Sequence, residues 1–185
     1  KDWKHLLFHL PYAFQGRRMI VKNWVSWLEE NNQIHNLTNE IGSFNFDNPN
    51  DWYKLASKSK LYKSFIDQKV SPGEKASSEI GNMYTASIFM SLLSFLNFSF
   101  EHKSNIEGDN IGFFSYGSGS KSKVFEGQIE SKWKEKIKDS QLFATLENRK
   151  EISFDTYVKL HKNQLNNSII KTNAIHLQNI EKSPS

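Results

Sequence analysis

The 185-residue chain holds 14 Phe, 5 Trp and 6 Tyr, enough apolar bulk for one packed domain and too much for a disordered polymer, even at a mean hydropathy of −0.62. Its formal charge of +4 comes without a block of like charges, which argues against a nucleic-acid-binding tail. With no cysteine in the sequence, disulfides, thiolate metal sites and a cysteine nucleophile within this chain are excluded.

In chain order, Leu6-Leu7-Phe8 reads as a buried strand that delivers His9 to its end, just ahead of Pro11. From Gln15 the period becomes helical. Val21, Trp24, Val25 and Leu28 form one apolar stripe, with Gly16, Arg17 and Arg18 at the helix start. Residues 31–50 are rich in Asn, with Gly42 and Pro49, and are expected to be irregular. One helix is expected within 52–70, and 31–78 as a whole reads as an insertion or irregular region. Ser71-Pro72-Gly73 reads as a turn. Residues 81–84 lead into the apolar stretch 88–100. Ser91, Ser94, Asn97 and Ser99 interrupt that stretch, and it falls short of the ~20 residues a bilayer span needs. A buried helix is expected there, capped by Thr85 or Ser87, and no membrane partner. Residues 102–110 read as a loop, 111–116 as a strand closed by Gly117-Ser118-Gly119, and 124–129 as its antiparallel neighbour. Helices are expected within 132–146 and 151–165, before a polar tail. The lysines of 132–138 alternate with Trp133, Glu135 and Ile137 and read as a solvated face. The mixture gives an α/β domain.

Three segments could carry chemistry. In Phe8-His9-Leu10-Pro11-Tyr12, followed by Gln15-Gly16-Arg17-Arg18, a histidine at a strand end is fixed by the coming proline. Its neutral imidazole can donate an N–H or pass a proton, and the arginines near a helix start could hold phosphate. A core histidine with two surface arginines fits the same pattern. His5 and His9 are spaced as a helical metal pair would be, but Pro11 and the lack of a third ligand argue against zinc. Gly81-Asn82-Met83-Tyr84-Thr85-Ala86-Ser87 can aim a carboxamide N–H at a reacting oxygen, or can be a turn with a helix cap. Phe114-Ser115-Tyr116-Gly117-Ser118-Gly119 allows close backbone approach to a ligand, or is a tight turn between strands. It is neither a phosphate loop nor a nucleophile elbow.

Taken in order, these three segments resemble the series found in 3-hydroxy-3-methylglutaryl-CoA synthases of the thiolase-like superfamily. The resemblance spans about residues 5–157 and includes Leu146-Glu147-Asn148-Arg149-Lys150-Glu151-Ile152-Ser153. It implies that residues 1–185 form the C-terminal portion of a thiolase-like fold, a mixed sheet packed with helices. The N-terminal half, with the nucleophilic cysteine and the acid/base glutamate, would then lie outside this chain. The sequence opens on Lys1, shows no leader, and is expected to be a fragment or a processed chain. The resemblance further implies condensation of acetyl-CoA with acetoacetyl-CoA in the cytoplasm, on the mevalonate route to isoprenoids. No tightly bound cofactor is implied, and coenzyme A thioesters are the substrates. His9 matches the catalytic histidine, Asn82 and Ser118 match substrate-binding residues, and Tyr84, Tyr116 and Gly117 stand beside them. Arg17 and Arg18 fall near the coenzyme A phosphates. Phe14 departs from the pattern, standing where many members have a lysine. Expected partners are the missing half or a partner subunit, and a second copy in a homodimer. Alone, the chain is expected to be inactive. Two other readings stay open: a polyketide β-branching synthase acting on carrier-protein-linked substrate, and a non-catalytic subunit that binds coenzyme A or a protein.

Overall fold

The computed structural model describes residues 2–117, 121–165 and 169. The chain divides into two compact units, Lys1–Asn148 and Arg149–Ser185. The first is built on a three-stranded sheet in the order β1-β2-β3, with strands His5–Phe8 (β1), Asn110–Gly117 (β2) and Lys121–Gln128 (β3). β1 runs parallel to β2 and β3 antiparallel, so the sheet is mixed.

β1 is apolar at successive positions because both its faces are covered, as in parallel sheets flanked by helices. Leu6 and Phe8 join the core cluster of α1 (Gln15–Glu30), around Ile20 and Trp24. Leu7 points the other way, into the cluster of Phe95 on α6 (Ser87–Glu101). The alternation follows from the two-residue strand period. The stripe Val21, Trp24, Val25 and Leu28 is buried as expected.

The expectation of irregular structure across 31–78 is corrected. The segment contains α2 (Ile34–Ile41), α3 (Pro49–Ala56) and α4 (Lys60–Lys69), and runs into α5 (Ser71–Ile80). In α2 the asparagines take the outer face, while Leu37 is wholly buried and Ile34 and Ile41 pack against the same core. Residues 52–70 hold the end of α3 and all of α4, because the Ser59 hydroxyl caps a new start by accepting from Tyr62 N–H at 3.0 Å. Glu40, from α2, adds acceptors for Lys60 and Leu61 N–H at 2.6 and 3.2 Å. Ser71-Pro72-Gly73 is the first turn of α5, where proline lacks only an N–H that no helical bond requires. Residues 132–146 hold two short helices, α7 (Trp133–Ile137) and α8 (Leu142–Glu147). The second unit contains α9 (Phe154–His161), capped by the Ser153 hydroxyl. No helix among the described residues is long and apolar enough to cross a membrane.

α5 and α6 meet through small residues. The Ser94 hydroxyl donates to Pro72 O at 2.7 Å and accepts from Ala76 N–H at 3.1 Å, bridging two groups that a helical bond would join. A Cβ on Gly73 would lie 2.7 Å from both Leu7 Cδ2 and Ser91 Oγ. Both neighbours are about 1 % exposed and have no room to retreat. Overpacking of this kind costs about 1–3 kcal/mol, against about 1 kcal/mol gained in helix propensity. Gly73→Ala is therefore expected to lower the urea midpoint at unchanged slope. Adding Ser91→Ala should recover part of the loss, and an unshifted midpoint in the single variant would show that the contact relaxes freely.

Candidate functional site

His9 sits one residue beyond β1, and its backbone N–H still bonds Phe114 O at 2.9 Å. The sheet therefore sets the direction of its side chain. Its Nδ1 lies 2.7 Å from Ser87 Oγ, and that oxygen also accepts Leu10 N–H at 3.0 Å. Burial holds the His9 pKa below the ordinary imidazole value, so the ring is neutral at pH 7.

Asn82 follows Gly81, which ends α5 at φ +90°. Its Oδ1 accepts Tyr84 N–H at 2.8 Å, with Tyr84 itself at φ +49°. This local turn occupies the carbonyl of the side chain and leaves the amide hydrogens for the cleft that Asn82 lines. The end of β2 supplies Ser115, Tyr116 and Gly117, and the Tyr116 ring lies 6.2 Å from that of His9.

These residues share one cleft of about 600 Å³, lined by His9, Pro11, Asn82, Tyr84, Thr85, Ile88, Phe89, Tyr116 and Gly117, and on β3 by Lys121, Lys123 and Phe125. His9, Asn82 and Gly117, from three distant segments of the chain, thus line one cleft. Ser118 lies outside the described residues. Lys121 and Lys123 were not anticipated. In the antiparallel register Lys121 stands opposite Gly117 and Lys123 opposite Ser115, and only the i, i+2 spacing of a strand could have put them on one face. The sequence offers Thr85 or Ser87 as the helix cap. In the structure Ala86 takes that position, and the Ser87 hydroxyl serves His9.

The two arginines do not line the His9 cleft. Arg17 Nε donates to Glu74 Oε2 at 2.6 Å, and a terminal N–H donates to Ser71 Oγ at 3.2 Å. Arg18 lies over the Tyr12 ring at 5.8 Å. Both line a separate cleft of about 1090 Å³ with Phe14, Tyr53, Lys54, Lys58 and Lys63. Glu74 is almost wholly buried, and burial pushes its carboxyl up to about 6 although Arg17 opposes the shift. Burial also raises the Tyr62 hydroxyl, which donates to Arg17 O. His5 is not a metal partner of His9. Four residues along a strand span about 13 Å, and His5 Nε2 pairs with Asp109 Oδ2 at 2.8 Å. Burial lowers the His5 pKa despite that carboxylate. Among the described residues no group of three His, Asp or Glu side chains could hold a metal ion.

Residues 1–183 match the family described as hydroxymethylglutaryl-coenzyme A synthase C terminal. A hydroxymethylglutaryl-CoA synthase of Haloferax volcanii is 23% identical over 170 residues, covering 86% of this chain and 38% of that protein. Among solved structures, MvaS in complex with 3-hydroxy-3-methylglutaryl coenzyme A aligns with a TM-score of 0.64 at 25% identity, over 87% of this chain and 34% of that one. The curacin biosynthetic pathway HMG synthase in complex with acetyl donor-ACP aligns at 0.61 and 20% identity, over 86% and 32%. The fold is the C-terminal portion of a thiolase-like fold. The chain spans little more than a third of the length of such relatives, 38% and 36% in two of them.

Proposed function

Because this chain belongs to the hydroxymethylglutaryl-coenzyme A synthase family, of which it carries the C-terminal part, we propose that it supplies the substrate-orienting side of an acyltransferase site condensing acetyl-CoA with acetoacetyl-CoA. The observation that carries this reading is the convergence of His9, Asn82 and the end of β2 on one cleft. In the condensation, the deprotonated methyl carbon of an enzyme-bound acetyl group forms a bond to the ketone carbon of acetoacetyl-CoA. The carbonyl π electrons move to oxygen, which then takes a proton. His9 and the Asn82 amide are N–H donors held ready for that oxygen, and donors fixed in advance need no reorganisation as charge develops. His9 is neutral, so it can donate a hydrogen bond without adding a buried positive charge. Tyr84, Tyr116 and Gly117 complete the acyl-binding wall, and Ser118 is assigned to the substrate by the family resemblance alone. Lys121 and Lys123 give the cleft a positive side suited to an anionic thioester substrate.

The chain has no cysteine. The acetyl-carrying nucleophile and its acid/base partner would come from the remainder of the enzyme, which works in the cytoplasm as a homodimer. Arg18, with Lys54, Lys58 and Lys63 beside it, is the better candidate for coenzyme A phosphates. Arg17 is committed to Glu74.

Titration calorimetry of the 185-residue chain with acetoacetyl-CoA tests the reading. Binding is expected, and Asn82→Asp should weaken it by roughly tenfold or more, since a donor is replaced by a like-charged acceptor facing the ligand oxygen. Equal affinity for acetoacetyl-CoA and free CoA, with no response to Asn82→Asp, would remove the acyl-orienting role. Acetoacetyl-pantetheine binding as tightly as acetoacetyl-CoA would move the substrate to carrier-linked acyl groups.

A further inference from the structure

Ser87 is the first residue of α6, and its side chain is completely enclosed. Its hydroxyl oxygen lies 3.0 Å from Leu10 N and 2.7 Å from His9 Nδ1. The Leu10 N–H can only donate, so Ser87 Oγ must accept there. That leaves two placements for the His9 proton. With the proton on Nδ1, Ser87 accepts twice, and its own hydrogen has no acceptor among the described residues, in a position closed to water. An orphaned buried donor disfavours that arrangement by about tenfold to a hundredfold. With Nδ1 bare, the Ser87 O–H donates to it and all three groups are paired. The proton then sits on Nε2. Nδ1 is turned to the enclosed serine, so Nε2 is the nitrogen left for the cleft that His9 lines.

We propose that Ser87 is a positioning residue that fixes the neutral His9 imidazole as its Nε2–H tautomer and presents that N–H to the substrate oxygen. The device also ties three parts of the fold together. The Leu10 amide just beyond β1 anchors the serine, the start of α6 carries it, and His9 receives its hydrogen. A carboxylate in the same place would have made the imidazole a stronger base and favoured its charged form. A hydroxyl fixes the tautomer and leaves the ring neutral. The assignment of substrate to Nε2 rests on the function proposed above, whereas the tautomer does not.

The test is a long-range proton–nitrogen NMR spectrum of the 185-residue chain with ¹⁵N-labelled histidine, recorded without ligand at neutral pH and assigned with His9→Gln. The expected spectrum has Nδ1 as the bare nitrogen and Nε2 as the protonated one. Ser87→Ala should shift the population toward Nδ1–H by about tenfold or more, and Ser87→Thr should keep the wild-type tautomer. Ser87→Gly is the second loss-of-hydroxyl variant should the alanine variant not fold. A wild-type Nδ1–H tautomer, or a population unchanged when the hydroxyl is removed, overturns the proposal. Failure of acetoacetyl-CoA to bind would overturn the functional reading and leave this spectrum as it is, so the two failures are told apart.

Discussion

His9→Ala is expected to lower kcat for condensation by roughly a hundredfold to ten-thousandfold, assayed with the nucleophile-bearing part of the enzyme present. Acetylation of the nucleophile should change by no more than about threefold, because that half-reaction creates no charge on the acetoacetyl ketone. The size of the effect follows from where His9 is held. Its backbone is pinned to β2 through Phe114 O, its Nδ1 is engaged by Ser87, and its pKa is lowered by burial. The ring is thus a neutral donor whose orientation is set before substrate arrives. His9→Gln separates the two tasks assigned to it. A glutamine amide can offer an N–H near the Nε2 position but cannot release a proton, so partial recovery would mark hydrogen bonding as the larger share. A histidine that only packs would behave differently, with a lower melting temperature and kcat within about tenfold of wild type. That result would remove His9 from the chemistry.

The parts of this molecule that could be read in the sequence are those set by local period and by short motifs. Leu6-Leu7-Phe8 reads as a buried strand with His9 at its end, and the structure forms that strand at His5–Phe8. The stripe from Val21 to Leu28 had to be one face of a helix, and it is buried in α1. The parts that could not be read depend on partners distant in the chain. The asparagine-rich stretch after residue 31 is polar as a string, but Leu37 needs a core to be seen as buried, and that core comes from β1 and α1. Ser71-Pro72-Gly73 carries turn residues, but Gly73 is required by the close approach of Leu7 and Ser91. Ser87 precedes an apolar stretch as any cap would, and its partner is 78 residues away. Arg17 looked like a phosphate ligand because the carboxylate that occupies it lies 57 residues further on.

Arg17→Met is expected to destabilise the fold by about 3–5 kcal/mol at pH 8, measured by urea unfolding. Glu74 is 2 % exposed. Its Oε2 is held by Arg17 Nε, while Oε1 has no hydrogen-bond partner among the described residues. Removing the guanidinium leaves a buried carboxylate that must either stay charged in a poor medium or take up a proton. The pH dependence separates this cost from ordinary loss of packing. In the wild type the Glu74 carboxyl is raised from 4.5 to about 6. A raised carboxyl means that the folded state binds the proton more tightly than the unfolded state. The contribution of this group is therefore fully present below about 4.5, and about 2 kcal/mol of it is lost as pH rises through 6. Without Arg17 the carboxyl rises further, and the loss continues to higher pH. The difference between variant and wild type should thus be small near pH 5, where both carboxyls are protonated, and should widen toward pH 8. Arg17→Met combined with Glu74→Leu should recover most of the stability at pH 8, since a packed apolar pair can replace a buried ion pair at little cost. Equal destabilisation at both pH values would mean that Arg17 acts by packing alone. Weakened coenzyme A binding with unchanged stability would return it to the phosphate role. The expected result instead gives Arg17 a mechanical part in the site. It holds α1, which follows His9, against α5, whose end sets Gly81 and Asn82 in place. This ion pair adds to the sheet bond to Phe114 O and the Ser87 contact that already fix His9.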